Sequence, residues 1–221
     1  MREYDWRAGL ARLARLWRTS LQLRTVAISV VMATVGVSII GAYMSVSVGT
    51  NLFDSRRDQL LSSSERAAVS VQAVFNAAVE QGGAVDLESA MVDAFDLVAR
   101  SSATTGGTLI AILRTTNQEG PRVPQDVAST PADVTVGVIS ADLRDQVAES
   151  ASGDRRVFWQ SVSIPGDDGE TDPGIVVGSS ITIPSAGAYE LYMVYNLSDA
   201  QQTLDFVQRT LVLGLLALIV L

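Results

Sequence analysis

The longest uncharged run in the chain is TVAISVVMATVGVSIIGAYMSVSVGTNLF, residues 25–53, between Arg24 and Asp54. Its apolar part, Val26 to Val48, is long enough for a hydrocarbon core that takes about 20 helical residues to cross. Beyond it the apolar positions fall at 3/4 spacing. In residues 54–83, Leu60, Ala67, Val71, Val74, Phe75 and Ala78 recur on one side, and Gly82-Gly83 stops the pattern. Thr50 to Gln81 holds no proline, so this helix is expected to continue directly from the apolar run. A second amphipathic helix is predicted over 86–101, with Leu87, Met91, Ala94, Phe95 and Val98 on its apolar side and Asp86 as N-cap.

After Gly106-Gly107 the texture becomes β-branched and short. TLIAILRTT (108–116), RVFWQSVSI (156–164), GIVVGSSITI (174–183) and YELYMVYNL (189–197) read as strands, and SADLRDQVAES (140–150) as a helix capped by Ser140. From Asp199 the chain returns to helix and runs without a break into TLVLGLLALIVL, 210–221. That run makes a helix of about 18 Å, against a core about 30 Å thick. It is expected to be the outer half of a second span whose remainder lies past Leu221. The fold class this predicts is α+β: two helices, about four antiparallel strands with one inserted helix, and a helix returning to the membrane. The expected divisions are a basic segment at 1–25, a first span at 26–48, a domain at 49–209 and the start of a second span at 210–221.

Charge sets the orientation. Arg2, Arg7, Arg12, Arg15, Arg18 and Arg24 stand against Glu3 and Asp5 before the apolar run, whereas the rest of the chain carries ten arginines and twenty-two acidic residues. An arginine-rich side stays in the cytoplasm, so residues 49–209 are expected outside the plasma membrane. A cleaved signal peptide fits less well: the basic region is too long, the apolar stretch is too long, and no A-x-A site follows. The head itself places Trp6, Leu10, Leu13 and Trp17 at helical spacing between arginines. That pattern suits either an amphipathic helix on the inner leaflet or a basic tail that only sets topology.

Composition excludes more chemistry than it offers. The chain has no cysteine and no histidine, and all sixteen basic residues are arginine. This removes thiolate chemistry, the commonest metal ligand and any lysine nucleophile, so no catalytic, metal or cofactor-binding residue is assigned. The acidic stretch Asp167, Asp168, Glu170, Asp172 lacks the ligand spacing of a calcium loop and reads better as a solvated hairpin. Gly106-Gly107 is a turn and not a phosphate loop, since no Gly-Lys-Ser/Thr follows. Asn196-Leu197-Ser198 matches a glycosylation triplet at chance level. Arg114, Arg155, Arg156 and Trp159, in or beside strands, are the candidates for an anionic ligand, against the plainer role of balancing an acidic surface. Gly41, Ser45 and Gly49 repeat every four residues and form a small-residue face of the kind that lets membrane helices pack, as in a dimer. Phe75 and its neighbours form either an outward dimer stripe or a face buried on the domain's own sheet. A net charge of −8, concentrated in the domain, excludes nucleic acid as a partner.

Two spans with an α/β domain between them and proline-free connections on both sides is the layout of a bacterial transmembrane sensor. The helix–strand order resembles the PAS-like PDC (Cache) fold. More closely, SLQLRTVAISVVMATVGVSIIGAYMSVSVGTNLFDSRRDQLLSSSERA (20–67) and GAYELYMVYNLSDAQQTLDFVQRTLVLG (187–214) resemble the two ends of the sensor region in the actinobacterial MtrB-type two-component sensor histidine kinases. The middle resembles them only loosely. The resemblance implies a homodimer, a HAMP linker, an ATP-binding kinase core, a cytoplasmic response regulator and an envelope lipoprotein partner. It carries over to the sensing half alone: such kinases phosphorylate a histidine, and this chain has neither histidine nor ATP-binding glycine boxes. The competing expectations are a stand-alone membrane-anchored envelope binding or scaffolding module, and the input domain of a chemoreceptor or cyclase.

Overall fold

The structure is a computed structural model that describes residues 21–80, 87–116, 124–150, 156–166, 170–183 and 186–220. Helix α1, Leu21–Glu80, is a single 60-residue helix, about 90 Å long at 1.5 Å per residue. The expected continuity between apolar run and amphipathic helix is therefore observed. Helix α2 (Leu87–Ala103) follows, then β1 (Gly107–Arg114), β2 (Val127–Ala128), α3 (Ala132–Gly137), α4 (Ala141–Glu149), β3 (Val157–Pro165), β4 (Thr171–Ile183), β5 (Gly187–Asn196) and α5 (Ser198–Val220). The expected N-cap Asp86 lies outside the described residues. Ser140 does cap α4, accepting from the Leu143 N–H at 3.1 Å.

The chain divides into two units, Met1–Asn51 with Thr203–Leu221, and Leu52–Gln202. In the first, α1 is the one helix among the described residues long and apolar enough to cross a membrane, and none of its apolar window is buried. Val26, Ile28, Met32, Ile39, Ile40 and Tyr43 all stand exposed, an arrangement that water disfavours and hydrocarbon does not. The Thr25 and Thr50 hydroxyls at the two ends of this run donate back to the carbonyls of Leu21 and Val46, which satisfies them within the helix.

The second unit is built on one antiparallel sheet in the order β2-β1-β5-β4-β3. One face packs against α1 and α2: Leu60, Ala67, Val71, Phe75, Met91, Ala94 and Val98 meet Ile110, Ile112, Ile175, Val177, Leu191 and Met193. Phe75 is completely buried there, so it belongs to the domain's own core and not to an outward stripe. The other face packs against α4 and the segment before it, with Ile139, Leu143 and Val147 on Ala111, Val176, Tyr192 and Val194. Both faces are covered, so β4 and β5 are buried nearly throughout, and alternation disappears from their sequences.

Three expectations change. Among the described residues there are five strands, because β2 adds two residues to the edge of β1 through Ala111–Ala128 and Ile112–Val127. Among the described residues two helices, not one, lie between β2 and β3; the six-residue α3 is too short to show a helical period. The turn before β4 is tighter than expected, since Thr171, Asp172 and Pro173 pair with Pro165, Ile164 and Ser163.

Candidate functional site

The end of the sheet where α1 and α5 attach is held together by one turn. Gly106, between α2 and β1, has φ +82°, a left-handed conformation that glycine adopts without steric cost. In this turn the Thr105 carbonyl accepts from Arg56 Nη2 of α1 at 2.7 Å. The next carbonyl, of Gly106, accepts from the Asn196 N–H at 3.3 Å. Asn196 is the last residue of β5, and its side chain faces two ways. Its Oδ1 accepts from the Ser198 N–H at 2.7 Å, capping an N–H at the start of α5 that no helical carbonyl can reach. Its Nδ2 donates to Asp172 at 2.8 Å, and the Leu197 N–H donates to the Pro173 carbonyl at 2.8 Å. Arg56 of α1 and the backbone of Asn196, just before α5, are thus fastened to consecutive carbonyls.

Further along α1, Ser64 and Gln72 repeat this fastening at intervals of eight residues. The Ser64 hydroxyl meets the Tyr195 hydroxyl at 3.0 Å, and Gln72 bonds to the backbone of Thr182. Each step of eight residues turns the side chain about 80° round the helix, so Arg56 and Gln72 flank the buried face from opposite sides while Ser64 lies on it. Tyr195 is buried, which raises its pKa against the pull of the Ser64 hydrogen bond; it stays a neutral phenol across ordinary pH.

A second polar group lies on the opposite face under α4. The carboxylate of Glu190, in β5, accepts at Oε2 from Arg144 Nε and from the Tyr192 hydroxyl, both at 3.1 Å. Burial pushes the Glu190 pKa above its ordinary value despite Arg144 beside it. Burial also works to lower that of Arg144, but Glu190 outweighs it and the net shift is upward. Desolvation, then the Glu190 charge, holds the Tyr192 phenol well above its usual range.

Of the residues singled out from sequence, Arg155 lies outside the described residues. Arg114 ends β1 and Trp159 lies on β3, with β5 and β4 between those strands; three strand spacings put about 14 Å between the strands, and the register adds four residues along them. Arg156 is exposed just before β3. Trp159 instead meets Arg57 of α1, whose guanidinium carbon is 5.5 Å from the ring centroid, within cation–π range, while Arg57 also pairs with Asp54 and Asp58. In the small-residue face, a Cβ on Gly49 would sit 3.7 Å from Leu204 of α5, whereas one on Gly41 would meet nothing within 4 Å; the Ser45 side chain lies outside the description. Asp172 binds Asn196 and is part of β4, and among the described residues no three acidic, His or Cys side chains group as a metal site. Asn196 and Glu190 carry the two polar centres. Neither shows in the sequence, since Asn196 appears there only within a glycosylation-like triplet and Glu190 within an apolar strand.

No protein-family model matches the chain. It is 29% identical over 209 residues to the sensor histidine kinase MtrB of Mycolicibacterium paratuberculosis, covering 93% of this chain and 34% of that protein. It is 26% identical over 224 residues to MtrB of Mycobacterium tuberculosis, 96% of this chain and 36% of the relative. MtrB of Mycobacterium leprae matches at 24% identity over 220 residues. The curated homologues of this chain are MtrB sensor histidine kinases. The chain spans about a third of the length of these relatives. The similarity to MtrB runs through the middle of the domain as well as its ends, further than the two quoted segments alone indicate.

Proposed function

We propose that this chain is the sensor input portion of a membrane-bound two-component histidine kinase and relays a cell-envelope stimulus by displacement of α1 against α5. In this reading residues 1–25 are cytoplasmic, 26–48 span the plasma membrane, 49–209 face the envelope and 210–221 enter the membrane a second time. Homology to MtrB kinases supports the class. The observation that carries the mechanism is the shared turn, in which Arg56 of α1 and Asn196 before α5 bind the adjacent carbonyls of Thr105 and Gly106. A sheet with a long helix along one face and short helices on the other supports a PAS-like, PDC (Cache)-type sensor. Two chains would pair in the membrane through the open Gly41 end of the small-residue face. A HAMP linker and an ATP-binding kinase core would pass the signal to a cytoplasmic response regulator, with an envelope lipoprotein as a further partner.

The test joins residues 1–221 to the cytoplasmic part of an MtrB relative, reconstitutes the chimera in liposomes and follows autophosphorylation with ATP. Asn196→Ala removes both side-chain bonds at the start of α5, and Arg56→Ala removes the tie from α1. Each is expected to shift basal phosphorylation several-fold while the domain stays folded. Phosphorylation unchanged in both variants would sink the proposed relay.

A further inference from the structure

Among the described residues, Glu190 is the one charged side chain buried completely. In the sheet it stands opposite Leu113 of β1 and Ser180 of β4, on the face that α4 covers. Its two carboxylate oxygens are treated unequally. Oε2 has two side-chain donors, Arg144 and Tyr192, whereas buried Oε1 has no side-chain donor and only the Thr116 backbone near the carboxyl. The Arg144 side chain is 26% exposed and the Glu190 side chain 0%. Arg144 therefore reaches in from the rim, where it also donates to the Arg114 carbonyl at 3.4 Å, and can turn back to water. Glu190, held under Arg144 of α4, meets no water in this arrangement.

We propose that Glu190 is a proton-operated latch beneath α4: with its proton on, α4 lies closed on the sheet, and with its proton off, α4 opens more readily. An ionised carboxylate buried with one oxygen poorly served gains much from water on opening; a neutral acid gains little. Each proton taken up thus favours the closed form, by up to about tenfold in the opening equilibrium per pH unit. The groups facing the carboxyl are Arg144 from α4, Tyr192 from β5 itself, Ser180 from β4, Leu113 from β1 and the Thr116 backbone beyond it. Of these only Arg144 is charged, and it opposes the latch without cancelling it. The inference stands apart from the signalling reading, because it concerns α4 alone.

The experiment is hydrogen exchange on the full chain in nanodiscs, followed as protection factors of the α4 amides from neutral to acid pH, with β4 and β5 amides as reference. In the wild type, α4 protection is expected to rise as pH falls. In Glu190→Gln it should already be high at neutral pH and then stay flat. Asp142, Asp145 and Glu149 of α4 are exposed and remain in that variant, so a rise that persists there belongs to them and overturns the latch. Arg144→Met should move the rise to higher pH, and this arm decides the matter if Glu190→Gln does not fold. Wild-type α4 protection that stays flat or falls on acidification also overturns it.

Discussion

Gln72 completes the edge of β4. Its side-chain amide donates to the Thr182 carbonyl at 2.6 Å and accepts from the Thr182 N–H at 2.9 Å, across 110 residues of sequence. The ladder between β3 and β4 ends at Val157 opposite Ser179, so among the described residues the last ones of β4 have no strand on that side. A side chain from α1 stands in for the missing strand and joins the long helix to the sheet backbone.

Removing that amide should therefore cost two hydrogen bonds and leave two backbone groups short of partners. At about 1 kcal/mol per bond, Gln72→Leu is expected to destabilise the domain by about 2 kcal/mol, measured as a shift in the denaturant midpoint of the full chain in detergent. Gln72→Glu keeps the acceptor and loses the donor, and should fall between. An unchanged midpoint in Gln72→Leu would mean that water caps this edge equally well.

Gly178 marks where the second face is tightest. A Cβ there would lie 2.6 Å from Tyr192 Cε1 and 2.8 Å from Val147 Cγ2, which forces either the ring or α4 to move. Gly178→Ala should cost about 1–3 kcal/mol, the usual range for overpacking. Gly137→Ala, at a position where a Cβ meets nothing within 4 Å, serves as the control and should be neutral to slightly stabilising. Equal unfolding midpoints for the two variants would contradict the packing described for Tyr192 and Val147.

The parts of the fold legible in the sequence are those with a long period or a strong local signal. Helix α1 repeats its apolar face often enough to be read, and Ser140 sits where a capped helix should begin. The three long strands show as β-branched and aromatic runs. What stayed hidden depends on distant partners. The two residues of β2 have no pattern of their own and are strand only because β1 lies beside them. Glu190 looks like any polar position in YELYMVYNL until Arg144, 46 residues earlier in the chain, is placed above it. Asn196 and Asp172 stand 24 residues apart, and neither signals the other. Both polar centres are thus products of tertiary pairing, which local periodicity does not encode.

The contact between Gly49 and Leu204 makes a prediction about which helix the small-residue face meets. A Cβ at Gly49 would lie 3.7 Å from Leu204 Cδ2, so this end of the face is occupied by the chain's own α5. The natural chain has no cysteine, so introduced thiols have no competitors. Gly49→Cys with Leu204→Cys should cross-link within one chain under mild oxidation, seen as a mobility change at monomer mass. Gly41→Cys alone, where the surface is open, should cross-link between chains. Dimer-mass product from the Gly49 and Leu204 pair, with none at monomer mass, would reverse the assignment.

Arg144→Met separates the two halves of the buried ion pair by pH. At neutral pH this variant leaves the buried Glu190 carboxyl without its positive partner, and breaking a buried pair in this way costs about 3–5 kcal/mol. Glu190→Gln leaves Arg144 instead, and Arg144 is partly exposed and long enough to reach water, so its cost should be small. The pH dependence follows from the raised pKa of Glu190 in the fold. The native state binds the proton more readily than the unfolded chain, so this group's contribution favours folding at low pH and is lost as pH rises through the folded pKa. Without Arg144 to oppose burial, that pKa moves higher still. The stability gap between wild type and Arg144→Met should accordingly be wide at neutral pH and narrow as the solution is acidified, read from denaturant midpoints at a series of pH values. A gap that stays constant with pH would show that Arg144 acts through packing of its alkyl chain and not through the charge on Glu190.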